Sequence, residues 1–257
     1  MRLIIALCLL AQCCSALADA PQLQAETNLL PALRPYVKEV ASELALVSAE
    51  RKVVLDEIAV TIASRLEREK EANLTFICTH NSRRSHMSQI WLQTAACFYG
   101  FDRVHAWSGG TDVTACNCRT ITAMRRVGFD IKDATGNAIK DAAKGDTKGD
   151  TKGENPLYLV RYAENRSPIR AYSKRYDADA NPKRDFIALM TCSSADKSCP
   201  VVDGAIARFA IYYADPRLCD DTPTETTAYN ERCREIAREM FYIMSEVRRR
   251  IGEPPQR

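Results

Sequence analysis

The sequence predicts an α/β protein: a four-stranded parallel sheet with helices on both faces, preceded by an N-terminal helical extension. Three observations predict it. Short apolar runs, "LTFIC" at 74–78, "VHAWSGG" at 104–110, "LYLVRY" at 157–162 and "FIALMTC" at 186–192, read as buried strands. Segments of helical character alternate with them, which argues for parallel strands covered on both sides. Glycines punctuate the pattern, stopping one helix at Gly100, closing another near Gly128, and ending the second strand at Gly109 and Gly110.

The elements follow in order. "MRLIIALCLLAQCCSALADA" sets Arg2 before an apolar run and then small residues, and Ala16-Leu17-Ala18 fits a cleavage site. Residues 1–18 are therefore expected to be a signal peptide, and the protein to be exported, periplasmic or secreted. Read instead as an uncleaved hydrophobic helix, the stretch leaves the protein in the cytoplasm. Residues 21–72 form the helical extension. In it Ser48 is a candidate N-cap, and Val54, Ile58, Ile62 and Leu66 make one apolar stripe. "SHMSQIWLQTAACFYG" and "NCRTITAMRRVGFDI" are helices after the first and second strands, and a last helix runs from about Tyr229 to Arg250. "KGDTKGDTKGEN" at 144–155 has no apolar residue and reads as a solvated loop. "ENRSPIRAYSKRYDADANPKRD" either borders a site or is surface, and its polar, basic character favours surface.

Composition narrows the function. A net charge of +3 on 257 residues, with 46% hydrophobic and 27% charged residues, is ordinary for a globular protein and argues against a nucleic-acid partner. Past the N-terminus no uncharged apolar stretch reaches the roughly 18 residues of a membrane span. Of eleven cysteines, eight lie beyond the signal: Cys78, Cys97, Cys116, Cys118, Cys192, Cys199, Cys219 and Cys233. An even number permits disulfides in an exported chain, Cys219–Cys233 among them. Cys116-x-Cys118 lacks further ligands, and His80, His86 and His105 show no metal spacing, so neither metal nor cofactor is expected. Asn73-Leu74-Thr75 matches a glycosylation sequon but adjoins a buried strand.

The chemistry concentrates in "CTHNSRRS" at 78–85. A thiol at the carboxyl end of a central strand sits where open α/β sheets bind ligands. The loop Thr79, His80, Asn81, Ser82, Arg83 would turn its backbone N–H groups inward, and the helix beginning near Ser85 would aim its positive end the same way. Such a nest suits a tetrahedral oxyanion, and Arg84 adds a planar fork that grips two of its oxygens. The same field favours the nucleophilic thiolate of Cys78, with Ser85 as hydrogen-bond donor to it. Asn81 is expected to hold the loop.

Cys-x5-Arg-Ser between strand and helix resembles the low-molecular-weight protein tyrosine phosphatase superfamily, which includes the thioredoxin-coupled arsenate reductases. Cys78, Asn81, Arg84 and Ser85 are in register with it. "WSGGTDVTACNCRTITAMRRVGFDI" resembles its second strand and helix, and Asp215-Pro216 its mobile acid loop. The resemblance places the domain at 73–252, with insertions at 133–156 and 163–185. It implies one of two activities on a small oxyanion. In a phosphatase, Cys78 attacks phosphorus of a phosphomonoester or phosphoprotein and Asp215 protonates the leaving oxygen. In an arsenate reductase, Cys78 attacks arsenic, Cys192 attacks the adduct, and Cys199 attacks Cys192, leaving a disulfide for a thioredoxin-like reductant.

"TCSSADKSCP" favours the reductase, with Cys192 and Cys199 just after a strand and the residues between them expected to be a flexible loop. A local structural disulfide is the competing reading. Arg217 and Leu218 stand where phosphatases of this kind place aromatics, which also disfavours the phosphatase. Arg83 replaces a second loop cysteine and is expected to make the loop more basic. Export cuts the other way, since an oxidising compartment holds little thioredoxin.

Overall fold

The computed structural model describes residues 28–139 and 154–252. The expected signal peptide and the Lys-Gly-Asp-Thr repeat lie outside them. The helices are α1 (Arg34–Ser42), α2 (Ala49–Glu67), α3 (Arg84–Phe98), α4 (Cys118–Arg126), α5 (Ser193–Ser198) and α6 (Glu225–Ile251). The strands are β1 (Ala72–Cys78), β2 (Val104–Gly110), β3 (Asp130–Asp133), β4 (Tyr158–Arg161), β5 (Ile169–Ala171), β6 (Phe186–Met190) and β7 (Ala205–Ala210). Among the described residues, no helix is long and apolar enough to cross a membrane.

The four-stranded parallel sheet is present, in the order β2-β1-β6-β7. Its membership differs from the expectation at one strand. "LYLVRY" is β4, the middle of a separate antiparallel sheet β3-β4-β5. Tyr158 and Val160 are buried while Leu159 and Arg161 are half-buried, the one-sided alternation of an antiparallel strand. The fourth parallel strand is instead β7, "AIARFA", which has no fully buried residue because it is the sheet's edge.

Period two along the strands divides the core. Leu74, Phe76, Ile187 and Leu189 face the main cluster, built with Ile58 and Ile62 of α2, Trp91 of α3, and Met240 and Phe241 of α6. Ile77, Phe186, Ala188 and Met190 face a smaller cluster with Cys78, Cys192, Ala195 and Val202. Helix α2 begins as the sequence predicts, with Ser48 Oγ accepting from the Arg51 N–H at 3.2 Å, and it buries Ile58, Ile62 and Leu66.

The chain leaves β1 through α3 to reach β2, then later returns to β1's other side for β6. That reversal is a topological switch point, and the carboxyl end of β1 is where it opens a crevice.

Candidate active site

The loop 79–83 is built by its neighbours as much as by its own residues. Asn81 sits at φ +46°, the left-handed region that asparagine tolerates well. Both ends of its side chain are engaged: Nδ2 donates to Ser85 Oγ at 2.9 Å, and Oδ1 accepts from the Lys174 N–H at 3.0 Å. Thus Asn81 does hold the loop, through the backbone of a distant segment. Gly110 allows the approach, since a Cβ there would lie 2.8 Å from both the Asn81 nitrogen and the Thr79 oxygen.

Cys78 Sγ and Ser85 Oγ are 3.0 Å apart, and both side chains are buried. Ser85 Oγ also accepts from Asn81 Nδ2, and its O–H is in place to donate to the sulfur when that is a thiolate. Among the described residues, the backbone N–H groups of His80 and Asn81 donate to no acceptor. Helix α3 starts at Arg84, one residue earlier than expected, and has no side-chain cap, so its first-turn N–H groups stay open.

The two arginines diverge. Arg84 Nη2 pairs with Asp215 at 2.6 Å and Nη1 donates to the Tyr213 carbonyl at 3.2 Å. Its Nε is buried with no partner among the described residues. Such an orphan donor costs about 1–3 kcal/mol and calls for an acceptor. Arg83 corrects the sequence expectation. It is buried, with Nε donating to Tyr229 Oη at 2.7 Å and Nη2 to Asp220 at 2.9 Å. Tyr229 Oη in turn donates to Asp220 at 2.9 Å. Its charge is therefore balanced inside the protein and adds little to the loop's basicity.

Asp215 opens the 3-10 turn Pro216–Cys219, accepting from the Arg217 N–H at 3.1 Å. Leu218 is 86% exposed, so no aromatic wall flanks the acid there.

Cys192 lies at the end of β6, the neighbour of β1, and shares the small buried cluster with Cys78. Its Sγ is 3.4 Å from Thr79 Oγ1 and accepts from the Ala195 N–H at 3.5 Å. Cys199 is half-buried at the far end of α5. The stretch between them is helical rather than the flexible loop expected, because "SSADKS" carries no helix breaker and Cys192 caps it. No local disulfide forms: all eight cysteines of the described residues are free thiols, Cys219 and Cys233 included. Cys233 is buried instead against Trp91, whose Nε1 donates to it at 3.2 Å.

The basic stretch 164–185, favoured as surface, borders the loop. Ser173 Oγ donates to the His80 carbonyl at 2.8 Å, and the Lys174 carbonyl accepts from the Gly110 N–H at 2.8 Å. The Lys174 side chain is buried, with Nζ 4.8 Å from the Tyr172 ring centroid. Burial lowers its pKa to about 8, opposed by the nearby Cys116 thiol. Burial pushes the Cys116 thiol up in turn. His86, one turn into α3, is held at about 3 by burial and by Lys174. No local sequence signal marks Ser173 or Lys174, because each meets the loop across about ninety residues of chain. The sequon residue Thr75 is fully buried in β1.

No family model matches the chain. It is 26% identical over 141 residues to arsenate reductase 2 of Staphylococcus epidermidis, spanning 55% of this chain and 76% of that one. It is 24% identical over 160 residues, 62% and 85% of the two chains, to the arsenate reductase of Bacillus subtilis. Over a shorter 64 residues it is 39% identical to arsenate reductase 2 of Staphylococcus haemolyticus, 25% of this chain and 46% of that one. A solved YwlE mutant from Bacillus subtilis aligns over 69% of this chain and 99% of that one, with TM-score 0.40 and 10% identity, too weak a likeness to carry weight. Sequence likeness and site point the same way: the chain is similar to the arsenate reductases and resembles the low-molecular-weight protein tyrosine phosphatase superfamily, as a cysteine-based enzyme of the arsenate reductase or phosphatase kind.

Proposed function

We propose that the protein reduces arsenate to arsenite through a relay of Cys78, Cys192 and Cys199, with a dithiol protein as final reductant. One observation carries the reading: Cys192 Sγ lies 3.4 Å from the hydroxyl of loop residue Thr79, in the same buried cluster as Cys78. A phosphatase has no use for a second thiol there.

The oxyanion rests in the loop 79–85, on the open N–H groups of His80 and Asn81 and on Arg84. Arg84 Nε is available from the start, whereas its Nη2 must let go of Asp215 to take a second oxygen. The Cys78 thiolate attacks arsenic, and one As–OH leaves as water with the proton from Asp215. The Cys192 thiolate next attacks Cys78 Sγ. The S–As bond breaks with its electron pair going to arsenic, which departs as arsenite and leaves a Cys78–Cys192 disulfide. The Cys199 thiolate attacks Cys192, freeing Cys78 and leaving Cys192–Cys199 for the external dithiol.

The phosphatase alternative uses the same Cys78, Arg84 and Asp215, and gains support from the signal-like N-terminus, since export removes the cytoplasmic reductant. Offering purified protein arsenate with a thioredoxin system, and separately an aryl phosphate, tests the two. Arsenate turnover abolished by Cys192→Ser and by Cys199→Ser is expected. Vigorous phosphate release indifferent to both substitutions would sink the relay. Export itself, suggested by Ala16-Leu17-Ala18, is tested by the mass of the mature N-terminus: a chain still carrying residues 1–18 refutes it.

A further inference from the structure

Helix α5 is tied down at its middle and its end by one side chain of the neighbouring edge strand. Arg208 of β7 donates to the Cys199 carbonyl from Nε at 3.2 Å and from Nη2 at 3.0 Å. Nη2 also donates to the Asp196 carbonyl at 3.0 Å and pairs with the Asp196 carboxylate. The hydroxyl of Tyr212 donates to the second oxygen of that carboxylate. The last carbonyls of a helix have no intrahelical donor, and here a guanidinium supplies one.

This arrangement opposes a bond between the two flanking cysteines. Cys192 and Cys199 are the N-cap and C-cap of α5. Seven helical steps of ~1.5 Å separate their Cα atoms by about 10 Å along the axis. A disulfide needs Cα atoms within about 7 Å, so no rotamer change can close the gap. The helix has to unwind, and the Cys199 carbonyl must leave Arg208.

We infer that Arg208, acting with Asp196 and Tyr212, is a positioning residue that sets the redox poise of the Cys192–Cys199 pair by holding α5 wound. The inference rests on the relay reading of those cysteines. The latch contacts exist in the dithiol form and are lost in the disulfide form, so they favour the dithiol. Loosening them makes the disulfide form faster and harder to reduce. They thereby delay attack by Cys199 until a substrate adduct has drawn Cys192 toward Cys78.

The test uses the full chain in a Cys78→Ser background, which removes competition for Cys192, equilibrated in glutathione buffers. Glutathione disulfide accepts the two electrons: one Cys192 or Cys199 thiolate displaces a glutathione thiolate, and the other cysteine displaces the second, closing the protein disulfide. Alkylation and mass spectrometry then quantify Cys192–Cys199. Arg208→Met is expected to raise the equilibrium constant for this disulfide about tenfold, a potential about 30 mV more negative. The near-isosteric Asp196→Asn and Tyr212→Phe should shift it the same way by less, and they serve if the arginine variant does not fold. Arg208→Met combined with Asp196→Asn should fall short of the sum. A disulfide that forms at an unchanged potential in every variant overturns the latch. A pair that does not form this disulfide even in the parent overturns the relay beneath it.

Discussion

The sulfur of Cys78 depends on a chain of single hydrogen bonds. Lys174 fixes Asn81, Asn81 orients Ser85, and Ser85 is hydrogen-bonded to Cys78. Ser85→Ala removes the last link without disturbing Asn81's backbone, so kcat should fall about 10- to 100-fold with KM little changed. Steady-state kinetics check this, and a change confined to KM would contradict it. His86 gives a second prediction at this scale. Its pKa of about 3 in the native state lies far below the ~6.5 of an unfolded histidine. Above pH ~6.5 both states are neutral, and the buried ring's contribution is complete. As pH falls from there, only the unfolded state takes up the proton, and stability drops by at most ~1.4 kcal/mol per pH unit until about pH 3. His86→Gln should flatten that acid limb in urea titrations; an unaltered slope between about pH 4.5 and 6.5 would refute it. Cys78, Asn81, Arg84 and Ser85 were legible in the sequence because the loop is local, with each member within seven residues of the thiol. Lys174 was not, since nothing in its own surroundings points back to Asn81.

At the scale of elements, the acid segment is gripped at both ends by adjacent arginines. Arg84 holds Asp215 before the 3-10 turn, and Arg83 holds Asp220 after it. In the proposed mechanism Arg84 turns to the oxyanion, and Asp220, held by Arg83 with Tyr229 and Arg119 beside it, keeps the segment in place. Arg83→Met should therefore speed amide exchange across 215–220 and, if Asp215 is the general acid proposed above, cut kcat by roughly tenfold. Exchange as slow as in the parent would contradict this. The sequence shows two consecutive arginines and an Asp-Asp pair, yet not that one arginine turns inward. Tertiary placement decided that, as it decided the misread β4 and the missed β7. β4 had the apolar content of a sheet centre but only one buried face, and β7 had the opposite pattern because it is an edge. The α5 stretch was misread for a related reason: six polar and small residues look like a loop until Arg208 and Cys192 cap both ends.

Across the whole molecule, the N-terminal helices are part of the same core as the sheet. Arg51 of α2 makes a forked pair with Glu239 of α6 at 2.7 and 2.9 Å, and Tyr213, two residues before the acid, donates to the same carboxylate at 2.6 Å. Burial and Glu239 push the Tyr213 phenol well above its usual range, so it remains a donor. The extension thus braces the strand end from which Asp215 hangs. Arg51→Ala leaves Glu239 largely buried beside a neutral phenol and should cost about 3 kcal/mol, or roughly 6–12 °C in Tm, readable by calorimetry. A loss below about 0.5 kcal/mol would mean the pair is only a surface contact. The parallel sheet and its crevice were foreseeable from strand–helix alternation alone, whereas this brace joins residues 188 apart and has no local signature. The relay is the claim on which the functional account turns, and a single turnover tests it most directly. Reduced protein mixed with excess arsenate and no reductant should release one arsenite per chain and end with a Cys192–Cys199 disulfide by peptide mapping. Arsenite absent and all eight thiols of residues 28–252 still titrating would contradict it.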